Sequence, residues 1–565
     1  MALTLKSTIM VNSKINIIAI TISSLICTPV IAARYNTQDK NNLSKTPSIF
    51  KDLTLQRQAN PFSQTNQHSE SKQKQEDYTK ILKLISKQNF SEAKNELRKL
   101  KADKPEYFNL QALLAIQEKD TPRAILSYKK ALALDAKNLM SNMGLATYSF
   151  ETKDLKTAKK YADISLGINN QLASAYLLLA DIARSQNKIK ESENILLNAL
   201  NTVKGNFKPE IKIASSLTKF YAFQRLPKKI LNLSRNLQNQ YPNNPKVLSI
   251  VARAQIVNDQ KKLAEQTLSQ LINLDKQDAE HRILLANLLK TQTEKETQVL
   301  QLLDEASNLE KNNPRALVYK TTYLIQLKRL TQALIIANKI DALFPQLALG
   351  KMLTGDIYLL EKKFDQALEI NLKAYQIQAN KKLFSTIISI LVKQGKNTKA
   401  IDFAKQELSK NPNNSAIHFT LASLFQNNNN LSQAIQHYES ILSQTPKHSQ
   451  ALNNLAWIYS QQNNPKSLEM AKQAYTINPQ SASILDTYGF ILVQQGQSKE
   501  AITILKKAIQ LEPKQYDIQF HLAQAYLANG NNKQAIITIK PLLQADKVFS
   551  EKQSAIRLFD QLNKK

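Results

Sequence analysis

Residues 481–513 read SASILDTYGFILVQQGQSKEAITILKKAIQLEP, and this stretch decides the fold. Apolar residues recur at helical spacing on both sides of Gly496: Leu485, Tyr488 and Leu492 before it, Ala501, Leu505 and Ala508 after it. A glycine between two such runs suits a residue that ends a helix with positive φ. The stretch therefore predicts two short helices folded back on each other. Gly489 and Ala501 are small, so the two backbones can approach, while Leu485, Leu492 and Leu505 fill the remaining space.

Working outward, the same arrangement recurs along the chain. An alanine stands twelve residues before a proline at Ala93 and Pro105, Ala333 and Pro345, Ala400 and Pro412, Ala434 and Pro446, and Ala501 and Pro513. The alanine slot repeats mostly every 34 residues, as from Ala124 to Ala158, Ala333 to Ala367 and Ala501 to Ala535, with one step of 31 and one of 38. Proline after the second helix is expected to open the next helix, because a first-turn residue has no intrahelical acceptor for its N–H. Gly395 and Gly530 take the same turn position as Gly496. The pattern weakens around Ile230 and over 279–313, where Gln298 or a neighbour holds the alanine slot and Pro314 arrives late.

This pattern of small and large residues on paired helices resembles the tetratricopeptide repeat over about residues 77–547. The resemblance implies an all-α fold, a right-handed superhelical solenoid of about fourteen helix-turn-helix units. Residues 548–565, with Phe549, Ile556, Phe559 and Leu562 among charges, are expected to form an amphipathic capping helix. A narrower likeness covers Ala451 to Phe490, ALNNLAWIYSQQNNPKSLEMAKQAYTINPQSASILDTYGF. That run is similar to a paired-unit motif of exported bacterial tetratricopeptide proteins, including those linked to exopolysaccharide production and PEP-CTERM sorting.

Composition agrees with helices: 9 Gly and 17 Pro in 565 residues leave little turn glycine for strand-rich folds. The formal charge, 76 minus 45 or +31, admits an anionic partner such as a polysaccharide. The lysines are spread over most helices instead of forming a block, so a diffuse solvated surface is expected and a nucleic-acid partner is not.

The N-terminus has the layout of an export signal. The apolar core INIIAITISSLIC (15–27) follows Lys6 and Lys14 and precedes Pro29 and the small-residue stretch Val30-Ile31-Ala32-Ala33, so residues 1–33 are expected to be removed after Ala32 or Ala33. A start at Met10 instead of Met1 would give a more usual basic region. The alternative is an uncleaved membrane anchor over 15–33. Cys27, the single cysteine, lies in this segment, which excludes disulfides and cysteine-bound zinc from the mature chain. Residues 34–76 are polar, with few large apolar side chains, and are expected to be a mobile linker. Export implies a periplasmic or secreted protein of a Gram-negative envelope.

No phosphate-binding glycine loop, HExxH or GxSxG appears, so neither catalysis nor a cofactor is expected. His418 and His437 fall on the two helices of one unit, without an evident carboxylate to complete a metal site. Binding is the expected role. In tetratricopeptide arrays positions two, five, nine and twelve of the first helices face a ligand, and positions five and nine share a face. Carried onto this chain, positions five and nine hold Asn453 and Trp457, then Asp486 and Phe490, then Phe520 and Gln524. Such a set suits an extended peptide, held by stacking and by amide hydrogen bonds, or sugar rings. Alternatively, Trp457 packs between successive helices. The Lys and Asn clamp for the carboxylate tails of chaperones is not recognisable: Asn454 stands at a clamp-like position, but Phe419 and Ser423 occupy the flanking places.

The expected function is thus a periplasmic scaffold for protein or peptide partners, in envelope assembly or exopolysaccharide export. An anionic-glycan-binding protein and an accessory subunit of a secretion or pilus machine are the alternatives.

Overall fold

The computed structural model describes residues 69–544 and 549–563, with side chains from Glu76 onward. The expected export signal, residues 1–33 with Cys27, and residues 34–68 lie outside the described residues. Among the described residues the regular structure is entirely helical. The first helix, Ser69–Ser86, begins inside the stretch expected to be linker. Its Glu, Lys and Gln residues are polar but strong helix formers, and Ile81 and Ile85 bury the helix against the array.

The chain divides into two compact bodies, one within Thr28–Lys320 and one within Thr321–Lys565. Each is a stack of antiparallel helical hairpins. In the first body, Ala173–Ser185 pairs with Ile189–Thr202, Phe207–Phe223 with Pro227–Gln240, and Pro245–Val257 with Lys261–Leu274. In the second, Ser415–Asn427 pairs with Leu431–Gln444, Ser449–Gln461 with Lys466–Ile477, Ala482–Gln494 with Ser498–Leu511, and Tyr516–Ala528 with Asn532–Ile539.

The small residues line the seam of each pair. Ala124, Ala158 and Ala264 in the first body, and Ala400, Ala434 and Ala501 in the second, are fully buried. A Cβ on Gly489 would stand 2.5 Å from Leu505 Cγ, so the facing helix occupies the space that glycine leaves. Ser192 is tolerated in the seam because its hydroxyl donates to the Ala180 carbonyl across the pair at 2.8 Å. In the irregular hairpins Ile230 and Val299 take the alanine place and are buried, while Gln298 is exposed.

The turns inside the hairpins follow one scheme. Gly496 has φ +75°, its N–H reaches the Val493 carbonyl at 3.1 Å, and the Gln497 N–H reaches the Leu492 carbonyl at 2.8 Å. These two bonds satisfy carbonyls that the ending helix leaves open. Gly395 and Gly530 share the positive φ. Elsewhere the same left-handed place is held by non-glycine residues such as Lys119, Lys153, Arg225 and Asn429.

Most prolines twelve residues past a seam alanine do not open helices as expected from sequence: Pro345, Pro412, Pro446 and Pro513 lie outside them. Pro513 stands in the turn ahead of the helix that starts at Tyr516, and the Gln515 N–H bonds to the Glu512 carbonyl at 3.2 Å. Pro412 is bracketed likewise by the bond from Asn414 to Asn411, and Pro446 by that from His448 to Thr445. Proline thus takes the second position of a β-turn, where its fixed φ is already correct. Pro105 does begin its helix.

Each body's core is a run of overlapping clusters, each drawing on neighbouring hairpins. The last helix, Lys552–Asn563, closes the second body: Phe549 and Ala555 are buried against Phe520, Ile539 and Leu542. No described helix is long and apolar enough to cross a membrane.

Candidate functional site

In the second body the first helices of three successive hairpins, Ser449–Gln461, Ala482–Gln494 and Tyr516–Ala528, lie side by side and form one face. Trp457 and Phe490 meet across the first two, with ring centroids 5.1 Å apart. Phe490 and His521 meet across the next two at 4.8 Å. The result is an aromatic strip running across the helices. Trp457 and Phe490 are each half-buried, so the ring contact between successive helices holds and part of each ring still faces solvent.

Asn453 lies one turn before Trp457 on the same helix face and is 9% exposed. Its Nδ2 donates to Asn454 Oδ1 at 3.3 Å, and Asn454 Nδ2 donates to the Tyr438 hydroxyl at 2.7 Å. The Asn453 Oδ1 is buried and accepts no hydrogen bond. A buried acceptor left unpaired is destabilising by roughly 1–3 kcal/mol, which a rotation of the amide towards an incoming N–H would recover.

Of the remaining sequence-predicted residues, Asp486 and Gln524 are half-buried on the same set of helices. Asp486 is committed: its carboxylate accepts from His521 Nδ1 at 2.7 Å. Phe520 must be removed from the groove. It is 1% exposed and packs under Phe549 of the C-terminal segment, with centroids 6.5 Å apart. The family position held at Phe520 is covered by the segment that follows the last hairpin.

His521, which sequence reasoning passed over, sits at the centre of an ionic link. It is 4% exposed, and its Nε2 lies 2.9 Å from Glu551 Oε1 just ahead of the last helix. Burial alone would lower its pKa, but Asp486 and Glu551 outweigh burial and hold it at about 10. His521 is therefore an imidazolium at neutral pH, set against the Phe490 ring. The signal was present in the sequence: 521 is one repeat plus one residue beyond 486.

Two other polar clusters contain a histidine pair or a histidine with a carboxylate. His418 Nε2 donates to the Pro412 carbonyl at 2.9 Å, which leaves its Nδ1 to accept from His437 Nδ1 at 2.9 Å. The two nitrogens bond directly, and burial, His418 and Lys405 push the His437 pKa down to about 4. Among the described residues no group of three His, Cys, Asp or Glu side chains is placed to hold a metal.

In the first body Ser249 Oγ lies 2.7 Å from His281 Nε2, and His281 Nδ1 contacts the Asp278 carboxylate. The order resembles an acyl-transfer triad. Ser249, however, is inside the helix Pro245–Val257, where backbone N–H groups are spent on the helix and no oxyanion hole forms beside it. Asp278 Oδ1 accepts the His281 backbone N–H at 3.0 Å, so the cluster works as a helix cap.

Residues 391–458 and 492–557 match the tetratricopeptide repeat family. No curated protein matches the chain. Among solved structures, the chain is similar to one in the APC/C hetero-tetramer Cut9–Hcn1, at 14% identity over 82% of this chain and 96% of that one, with a TM-score of 0.35. It is also similar to YrrB, described as a tetratricopeptide protein with an unusual peptide-binding site, at 21% identity over 39% of this chain and 95% of that one, with a TM-score of 0.24. A third is a tetratricopeptide repeat protein from Parabacteroides merdae, at 16% identity over 45% of this chain and 98% of that one, with a TM-score of 0.34.

Proposed function

We propose that this chain of tetratricopeptide repeats is a non-enzymatic scaffold that holds an extended peptide segment of a partner across the helices bearing Asn453, Trp457 and Phe490. One observation carries the reading: a buried amide oxygen without a hydrogen bond stands one helical turn from a half-buried tryptophan. A peptide backbone N–H would satisfy Asn453 Oδ1 once the amide turns towards the face, and an apolar side chain would cover Trp457 and Phe490. Asp486 takes no direct part, because His521 already neutralises it.

The apolar stretch 15–27 and the small residues at 30–33 support export, and with it a partner in the periplasm. The likeness of Ala451–Phe490 to exported bacterial repeat proteins favours a place in envelope assembly or exopolysaccharide export. The aromatic strip also suits sugar rings, so an acidic polysaccharide is the second reading.

Selection of a random peptide library on the immobilised full chain tests the proposal. Trp457 is the only tryptophan, so its fluorescence reports binding of each selected peptide. Asn453→Ala is expected to weaken binding about tenfold, the equivalent of one hydrogen bond to a buried group. Selected peptides that bind Asn453→Ala and Trp457→Ala variants as tightly as the parent would refute the site. Tight, salt-sensitive binding of acidic polysaccharide alone, with no peptide selected, would favour the second reading.

A further inference from the structure

The first body carries an edge where the repeat pattern breaks its own rule. The last residue of each first helix, seven before the seam residue, is Gln117, Glu151 and Ser185 in three successive hairpins, then Phe223 and Val257 in the next two. The residue capping the second helix is Asp120, Asp154 and Lys188 in those three hairpins, then Leu226. The residue just before the seam is Arg123, Thr157 and Glu191, whereas Leu263 precedes Ala264. Each of these replacements puts a large apolar side chain where solvent is. Phe223 is 81% exposed, Val257 51% and Leu263 49%. The two turns that carry them adjoin, because Asn258 Nδ2 donates to the Pro227 carbonyl at 2.9 Å.

Cations surround this apolar edge. Arg225, Lys228 and Lys262 are exposed and make no ion pair among the described residues. Lys229 is paired with Glu193 and Lys261 with Asp259. A second copy of the chain would bring the same cations face to face, which opposes self-association through this edge. The apolar residues stand on hairpin tips and enclose no groove, so they offer little shape for a folded protein to fit. Protruding apolar side chains among unpaired Lys and Arg do fit a fluid surface that is negative outside and apolar beneath.

We propose that the turns 223–229 and 257–263 form a docking edge for an anionic lipid bilayer, with Phe223 and its apolar neighbours entering the headgroup boundary and Arg225, Lys228 and Lys262 meeting lipid phosphates. The proposal is independent of the peptide site, which lies in the other body. It adds a membrane contact by the folded array to whatever the N-terminal segment does.

The test uses the full chain with a reporter at the edge, Phe223→Trp in a Trp457→Phe background. The reporter is mixed with vesicles of phosphatidylcholine alone or equimolar with phosphatidylglycerol, with and without brominated acyl chains. Quenching by the brominated lipid is expected only in the anionic vesicles, and it should weaken as salt is raised. In cosedimentation, Phe223→Ser should lower partitioning about tenfold, and Lys228→Glu should also lower it, about fivefold. Because these side chains are exposed, the variants should keep the parent's helical circular dichroism. Cosedimentation without quenching of the reporter overturns the proposal, since the N-terminal apolar segment then does the binding. Equal quenching in neutral and anionic vesicles overturns the charge argument. A dimer that Phe223→Ser dissociates, without loss of vesicle binding, assigns the edge to self-contact instead.

Discussion

Replacing His521 by glutamine should release the last helix from the second body while leaving the hairpins beneath it intact. His521 bridges Asp486 on one hairpin to Glu551 beside the helix Lys552–Asn563. Its pKa rises from 6.5 to about 10 on folding, and each pKa unit is worth about 1.36 kcal/mol. Both carboxylates keep some contact with water, which screens the pair, so a loss of about 3 kcal/mol is expected, as for breaking other buried ion pairs. Apolar contacts of Phe549 and Ala555 remain, so the helix should open locally and not unfold the array.

Hydrogen exchange measured by mass spectrometry on peptides covering 549–563 is the assay. With tenfold in protection for each 1.4 kcal/mol, protection there should fall about a hundredfold in the variant. The pH dependence gives a second check. The folded pKa is raised, so the stabilisation is complete below about 6.5 and is lost as pH climbs towards about 10. Asp486 stays near His521 when the cap opens, which moves the start of the decline above 6.5. After correction for intrinsic exchange, protection should then drop by up to tenfold per pH unit in the parent and stay flat in His521→Gln. Unchanged protection in the variant, or a flat parent profile between pH 7 and 9, would show that apolar packing alone holds the cap.

Two further expectations concern the array. Gly489→Val should destabilise the hairpin Ala482–Leu511 by about 2 kcal/mol or more, since its Cβ would fall 2.5 Å from Leu505 Cγ; the mark is faster proteolysis within that hairpin, and parent-like resistance would contradict the seam. Lys119→Gly and Lys153→Gly, at φ of 61° and 66°, should each stabilise by up to about 1 kcal/mol, read as a higher urea midpoint.

Much of this was legible in the sequence because the seam is made of residues whose size is their function. Gly489 and the alanines announce close helix contact without any knowledge of neighbours, and Gly496 announces a left-handed turn. What the sequence concealed depends on segments that do not repeat. Phe520 stands at a family groove position, yet Phe549, from the segment after the last hairpin, covers it. His521 looks like an ordinary helix histidine until residues 35 before it and 30 after it are brought to its two nitrogens. Pro513 reads in sequence as a helix start because proline tolerates that place, whereas the β-turn from Glu512 to Gln515 uses its fixed φ more directly.

Repetition itself supplies the reference that makes departures meaningful. In a globular domain an exposed phenylalanine or a buried asparagine is judged against averages, and single exposed apolar residues need no explanation. Here each position has equivalents in the same chain under the same packing demands. Most hairpins place a small residue at the seam, and Ala264 does so as Ala124 does, but nothing in the stack requires Leu263 where Arg123 or Thr157 serves elsewhere. Removing such a residue should therefore cost the fold little, because its equivalents manage without it. The same reasoning separates Asn453 from Phe520. Asn453 keeps an oxygen that no hydrogen bond in the fold uses, so its replacement should affect a ligand before it affects the fold, whereas Phe520 anchors the cap and its loss should be felt as stability.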